Sequence, residues 1–354
     1  MKLTVPFIPD QAYTDFLQTV INHIESVYFP LYSGPVLDSR MRFSKIDAEK
    51  FSDQISRISG VEKYILLNTR FIHPDLYHDD RFLNQTLDMI EALMAGCRIS
   101  GIVFSDAYFL NALSCTKRDI TSMIEAVPSV NCMIDNSHKA RSFIRLVEQT
   151  AFRLPGKIIL DRGLNRCPEE LAETAGMLKA QFPEVKIELL ANEGCIYQCP
   201  FKPAHDALIS FSNLKLSGDR SFKINHTLGC HPWFFRHPEN FFKSPFIRPE
   251  DLPCYENIAD TIKICGRTHG TGFLMRCINA YIRHSYEGNL LDLMDAAKWL
   301  GDIYHIDNKR LGPDFFNMMT TCTKDCKNCN ICPELFLKAG ITKSVEIRQY
   351  KEFL

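Results

Sequence analysis

The chain has 354 residues, 45% hydrophobic and 23% charged, with a formal net charge of −1. These values leave room for a large core, and they exclude both global disorder and a general polyanion binder. No run of about 18 apolar residues is present, and the opening apolar stretch meets Asp10 too soon for a signal peptide, so a cytoplasmic protein with no membrane segment is expected.

Apolar runs alternate with amphipathic segments along the chain. Leu3–Phe7 reads as a first strand, and Asp10 caps a helix carrying Phe16, Leu17, Val20, Ile21 and Ile24. Ser26–Leu31 is a second strand, followed by helical patterning through Phe51, Ile55 and Ile58. Lys63–Thr69 is a third strand, with a helix near Asn84–Met94 after it, and Gly101–Asp106 a fourth. A helix near Lys117–Ala126 leads to a fifth strand, Val130–Asn136. Ser137 caps a helix with Ala140, Phe143, Ile144 and Val147. Lys157–Asp161 is the sixth strand. Pro168, Glu169 and Glu170 open the next helix, where a missing N–H costs nothing and negative charge meets the dipole. Val185–Ala191 is the seventh strand and Thr261–Ile264 the eighth. Helices over Phe273–His284 and Leu290–Leu300 follow.

Eight strands separated mostly by helices predict an α/β fold, a (β/α)8 TIM-like barrel. The barrel is expected over residues 1–300, with a long cysteine-containing insertion at 195–259 between strands seven and eight. A cysteine-rich segment, 301–354, closes the chain. Polar residues cluster at strand ends: Asn68, Asp106, Asp135, Asn136, Asp161, Arg162, Asn192, Glu193 and Arg267. C-terminal strand ends build the active site in such barrels. Glu193 and Asp161 are candidate acid/base groups. Arg162, Lys263 and Arg267 are candidates to hold an anionic group, with salt bridges to those carboxylates as the plainer reading.

The 14 cysteines point to metal ligation or redox chemistry in a chain without a signal. Cys97, Cys115, Cys132, Cys167 and Cys277 are scattered and read as ordinary thiols. The first constellation is Cys195, Cys199, Cys230 and Cys254, drawn from the insertion, with Cys265 as a spare for Cys254. Four thiolates over a barrel mouth suit a [4Fe–4S] cluster, or alternatively tetrahedral zinc. His205, His226, His231 and His237 lie nearby as alternative imidazole ligands. The second constellation is Cys322-x3-Cys326-x2-Cys329-x2-Cys332-Pro333, a bacterial ferredoxin run read backwards. Its first three cysteines also match radical S-adenosylmethionine spacing, but those enzymes carry the motif ahead of their barrel strands. Two sets predict two [4Fe–4S] clusters, with zinc as the alternative at the C-terminal site.

Lys157-Ile-Ile-Leu-Asp-Arg-Gly-Leu-Asn165, followed by its Glu-Glu helix, resembles the "VVLARELS-x-EE" strand of the collagenase-like peptidase family U-32. Val185–Cys195 resembles the family's next strand. Asp251-Leu-Pro-Cys254, then Asp260-Thr-Ile-Lys-Ile-Cys-Gly-Arg267, resembles its "KDLC … DSFKIEGR" segment. The resemblance covers roughly residues 100–285. It implies an iron–sulfur protein of the kind that hydroxylates ubiquinone precursors, a tRNA uridine or a ribosomal RNA cytidine without O₂. It also implies Cys195, Cys199, Cys230 and Cys254 as ligands, favouring Cys254 over Cys265. The family's glutamate in "KIEGR" is Cys265 here, and the four-cysteine tail is not a general family feature.

The expected function is an iron–sulfur-dependent redox enzyme modifying a small molecule, peptide or RNA. It would draw on an electron donor such as a ferredoxin, with a hetero-partner of the same family as a further partner. A hydrolase is the alternative. No Gly-x-Ser-x-Gly elbow or His-Glu-x-x-His helix is present, which leaves a cysteine paired with His205 or His269. A third reading is an electron-transfer or RNA-binding subunit, with Phe234, Phe235, Phe241 and Phe242 as stacking platforms, or as core.

Overall fold

The computed structural model describes residues 1–32, 34, 36–40, 48–214 and 221–343. Residues 344–354 of the expected C-terminal segment lie outside them.

Eight parallel strands form a nearly closed (β/α)8 barrel. They are β1 (Lys2–Pro6), β2 (Ile24–Pro30), β3 (Glu62–Leu67), β4 (Gly101–Phe104), β5 (Glu125–Pro128), β6 (Lys157–Ile159), β7 (Lys186–Leu190) and β8 (Thr261–Lys263). The hydrogen-bonded order is β5-β4-β3-β2-β1-β8-β7-β6. The first and last strands therefore pair with each other, Leu3 opposite Ile262. The seam falls between β5 and β6. It is bridged by an isolated pairing of Glu125 with Arg153 and by the Gly156 N–H, which donates to the Glu125 carboxylate.

Helices wrap the outside. Asp10 caps α1 (Gln11–Thr19) by accepting from the Tyr13 N–H. This helix ends sooner than the apolar spacing predicts, because Ile24 is already the first residue of β2. Further round lie α2 (Ala48–Ser56), α3 (Asp80–Gly96), α4 (Ala107–Thr116), α5 (Arg118–Met123), α6 (Ser137–Glu148) and α7 (Pro168–Gln181). Asn136 rather than Ser137 caps α6, accepting from the Lys139 N–H.

Two expectations are corrected. The fifth strand is Glu125–Pro128, not Val130–Asn136, where Val130–Cys132 is a 3-10 turn. The strand stays short because Pro128 ends it and because its carboxylate is held inside by Gly156 and the Tyr64 hydroxyl. Leu290–Leu300 is two 3-10 turns, Leu290–Leu293 and Lys298–Asp302, rather than one helix. The break between them follows from the Asp295 and Ala296 N–H groups, which donate to the carbonyls of Asn192 and Glu193.

The barrel interior is partly charged. Beside the apolar cluster of Tyr28, Tyr64, Leu66, Val103, Val127 and Ile159 lies buried Glu188. One of its oxygens accepts from Thr4 at 2.5 Å, Lys157 at 3.0 Å and Thr261 at 3.3 Å. The other stands 3.7 Å from Lys263 Nζ. Each lysine also lies over a tyrosine ring, Lys157 over Tyr64 at 4.2 Å and Lys263 over Tyr28 at 4.0 Å.

The insertion between β7 and β8 carries α8 (Lys202–Asn213), α9 (Ser221–Thr227) and α10 (Cys230–Arg236). After β8 come α11 (Thr271–Ile282), a short antiparallel pair of β9 (Tyr304–Ile306) with β10 (Gly340–Thr342), and between these α12 (Phe315–Thr320) and α13 (Ile331–Ala339). Tyr304, Ile306, Leu311, Phe315, Met319 and Leu335 share one core with the barrel's outer layer. Arg166, buried in the 3-10 turn Arg162–Arg166 that follows β6, fixes this segment. It donates to the Met319 carbonyl from Nε and Nη2, at 3.2 and 2.8 Å, and to the Phe242 carbonyl at 2.8 Å. None of the described helices is long and apolar enough to cross a membrane.

Candidate functional site at the barrel mouth

The C-terminal strand ends open into a small cavity of about 60 Å³ lined by Arg40, Asn68, Ser129, Glu193, Lys263, Cys265, Arg267 and Asp295, with Lys202 and Asp206 of α8 on its far side. Helix α8 lies across the mouth because its polar face finds partners on three strand-end loops. Ser210 meets Thr69 at 3.0 Å, Lys202 reaches Asn131 at 3.2 Å, and Asn213 donates to the Asp38 carbonyl at 3.0 Å.

The cavity's charges are mostly paired. Arg40 meets Asp295 at 2.8 Å, Arg267 meets Asp38 at 2.5 Å, Lys202 meets Asp206 at 2.7 Å, and Arg162 pairs with Glu193. Burial would raise the Asp295 carboxyl, but Arg40 and His269 hold it well below the usual range. The Lys263 ammonium stands 3.7 Å from its carboxylate neighbour Glu188, which it shares with Lys157. Burial, opposed by Glu188 and helped by Lys157 and Arg267, pushes its ammonium down to about 8.

The five candidate chemical residues divide. Glu193, Lys263 and Arg267 line one cavity. Arg162 lies behind Glu193 as its ion-pair partner. Asp161 turns away to cap the Arg162–Arg166 turn, accepting from the Gly163 N–H at 2.7 Å. Asn192 is a brace. Its amide donates to the carbonyls of Cys265 and Leu293, at 3.1 and 2.9 Å, and its oxygen accepts from the Cys265 N–H at 2.8 Å. Sequence reasoning missed Arg40, Lys202, Asp206 and Asp295. Lys202 and Asp206 carry a readable signal, opposite charges at i and i+4.

Gly266 shapes the β8 end. Its φ of +113° is one that side chains rarely adopt, and a Cβ there would overlap the Phe273 ring. Gly266→Ala is therefore expected to destabilise the protein by about 3 kcal/mol through backbone strain and overpacking. Thermal melts check this: a melting temperature equal to wild type's would show that the turn relaxes freely.

The thiols sort unevenly. Burial pushes Cys195 up to about 11, with Cys199 adding to it and Arg162, Lys202 and Arg40 opposing. Cys230 is likewise pushed to about 11 by burial and then by Cys199. Burial is the main cause at both, and Cys199 is near enough to each to add to it. Cys254 does not join them: it is exposed on a 3-10 turn, and its charged neighbours are Asp251 and Arg248. Cys265 lies inside, 3.3 Å from Asn192 Oδ1, with burial and then Asp295 pushing its thiol well above the usual range. Among the described residues, no three His, Cys, Asp or Glu side chains converge closely enough to hold a metal ion in this arrangement. A cluster on Cys195, Cys199, Cys230 and Cys254 thus does not fit the geometry as it stands. The histidines have other neighbours. His205 is 3.0 Å from the Asn225 amide, His231 stacks on Trp299 at 4.0 Å, and His237 faces Glu239 at 3.4 Å.

In the C-terminal set, burial pushes Cys332 up to about 11, and Cys322 and Cys326 are near enough to add to it. The two sets adjoin. Tyr197, between Cys195 and Cys199, has its hydroxyl 3.4 Å from the Cys167 sulfur. Lys324, between Cys322 and Cys326, donates to the same sulfur at 3.2 Å. Cys167 is thus a junction, not the scattered thiol expected from sequence. Phe234, Phe241 and Phe242 are buried in the core, and Phe235 is exposed.

No family model matches the chain. A stretch of 183 residues is 34% identical to the uncharacterized protease MJ1657 of Methanocaldococcus jannaschii, covering 51% of this chain and 52% of the relative. The chain thus spans about half the length of the curated relative it matches. Among solved structures, the U32 peptidase Mk0906 aligns at 14% identity over 75% of this chain and 92% of that one, with a TM-score of 0.49. The chain resembles the U32 peptidase family. The barrel itself is read from the strand order.

Proposed function

We propose that this U32-like chain is an iron–sulfur redox enzyme that modifies a small molecule, peptide or RNA without O₂, fed by an electron donor such as a ferredoxin. The observation that carries the reading is the placing of Cys195, Cys199 and Cys230 in the insertion that leaves the C-terminal end of β7, the end where the charged cavity lies. Sulfur donors of this kind suit iron–sulfur clusters, and the catalytic face of such barrels is this one. A bound cluster would supply one-electron chemistry. The chain's own part is to hold substrate between Lys263 and Arg267, to set Glu193 against Arg162, and to cover the mouth with α8. Zinc is the alternative occupant of Cys322, Cys326, Cys329 and Cys332.

Anaerobic purification with iron and sulfide assay tests the reading. Wild type is expected to carry about four iron per occupied cluster. Cys195→Ala is expected to lose the mouth centre and activity while keeping whatever metal the C-terminal set holds. A colourless wild-type protein with zinc and no iron rules the proposal out.

The relatives' names favour a second reading, a peptidase. The geometry gives it little support. His269 Nε2 faces Asp295, at 2.8 Å from its carbonyl and 3.2 Å from its carboxylate, rather than a thiol. Cys265 is half-buried, and burial and then Asp295 push its thiol well above the usual range, so it is not an activated nucleophile.

A further inference from the structure

We infer that the N-terminal end of the barrel carries a second binding site, built around buried Lys63, for the phosphate group of a small organic molecule. The site stands at the opposite end of the strands from the mouth and does not depend on the redox reading. A cavity of about 1040 Å³ opens there, lined by the starts of β2 and β3 and by the loops leading into β3 and β4, 59–61 and 97–100. Glu125, the first residue of β5, and Arg153 line it at the seam. A space of this size suits a small organic ligand better than a single ion.

Strand alternation puts Lys63 where it is. Tyr64 and Leu66 face the barrel interior, so Lys63, Ile65 and Leu67 face the helices. Ile65 and Leu67 join the apolar layer there, whereas Lys63, only 5% exposed, lines the cavity. Among the described residues no carboxylate lies within 4.0 Å of its ammonium. Burial pulls that ammonium's pKa down, and the group opposing it is the Cys97 thiol. A cation held so deep is costly until an anion joins it or its proton leaves. The cavity's own carboxylates are engaged elsewhere. Glu25 pairs with Lys186 and faces Lys2 at 3.9 Å. Glu62 accepts from the Tyr64 hydroxyl at 2.8 Å, and Glu125 from the same hydroxyl at 3.1 Å and from the Gly156 N–H. Arg98 and Arg153 stand exposed in the same lining, also without a carboxylate partner among the described residues. A guanidinium binds oxyanions through two parallel bonds. A phosphate monoester, with a charge of about −1.5 to −2 at neutral pH, matches this surplus of cations better than a carboxylate does.

Titration calorimetry of the full chain in a phosphate-free buffer tests the site, with glycerol 3-phosphate as the probe and inorganic phosphate beside it. Wild type is expected to bind glycerol 3-phosphate saturably and to melt at a higher temperature in its presence. Lys63→Met is expected to weaken binding about tenfold or more, the loss of one charge-assisted bond. Removing an unpaired buried charge leaves this variant at least as stable as wild type, so circular dichroism and melting without the probe should show it folded. Arg267→Ala, at the mouth, is expected to bind glycerol 3-phosphate as wild type does. Inorganic phosphate is expected to bind more weakly than the ester, because it leaves the rest of the cavity empty. No saturable binding by wild type overturns the proposal. So does full affinity in Lys63→Met, a loss in Arg267→Ala equal to that in Lys63→Met, or inorganic phosphate binding as tightly as the ester.

Discussion

Glu188→Gln is expected to destabilise the barrel by roughly 3–5 kcal/mol, the range for breaking a buried pair by removing one partner. Glu188 is the carboxylate that Lys157 and Lys263 share. Glutamine keeps the shape and still accepts from Thr4, but it leaves two buried ammonium groups facing one another across the barrel. Urea unfolding measures the loss. Lys157→Met in the Glu188→Gln background is expected to restore part of it, because the orphaned charge goes with its side chain. Additive losses in the double mutant would show that the two groups do not interact. The same carboxylate sets an acid limit. Burial raises its pKa, but Lys157 and Lys263 outweigh burial and take it from the usual 4.5 down to about 2. A carboxylate depressed in the folded state stabilises fully above its unfolded pKa. The contribution is present above about pH 4.5 and fades as pH falls toward 2. In Glu188→Gln that part of the acid transition is expected to vanish.

Arg166→Ala should release the C-terminal segment. The guanidinium makes three bonds to the carbonyls of Met319 and Phe242 from a buried position. Bonds to a charged donor contribute about 1.5–3 kcal/mol each, and the carbonyls left behind are enclosed, so a loss of at least about 3 kcal/mol is expected. Limited proteolysis should then cut within 312–343 faster than in wild type, with the barrel still folded. Arg166→Lys is expected to recover little, since an ammonium cannot span two carbonyls with a planar fork. Unchanged proteolysis in Arg166→Ala would mean that the aromatic contacts of Phe315 with Phe242 and Phe246 hold the segment by themselves.

The barrel was readable because parallel strands buried on both faces are written as apolar runs, as in Tyr64–Leu67 and Ile102–Phe104. The fifth strand hid because its first residue is a buried glutamate whose partners, Gly156 and Tyr64, are remote in sequence. Helix α4 was missed because Asp106 reads equally as a strand end and as the cap it is, accepting from the Tyr108 and Phe109 N–H groups. At the mouth, the residues on strand ends could be located from order alone. The pairs Arg40–Asp295 and Arg267–Asp38 could not, since each joins loops more than two hundred positions apart and leaves no periodic trace. Cysteine spacing identified the thiols but not their directions.

The unpaired seam between β5 and β6 falls in the interior of the sequence, whereas β1 and β8 are sewn together. The two halves, β1–β5 and β6–β8, are thus continuous sheets joined by backbone hydrogen bonds at one edge and by little more than the Glu125 side chain and Arg153 at the other. A nick in the loop at 150–156 would cut the chain where the sheet is already open. It would leave a complementing pair of fragments whose reassociation is templated by β1 against β8, so this loop is the natural place to split or permute the protein.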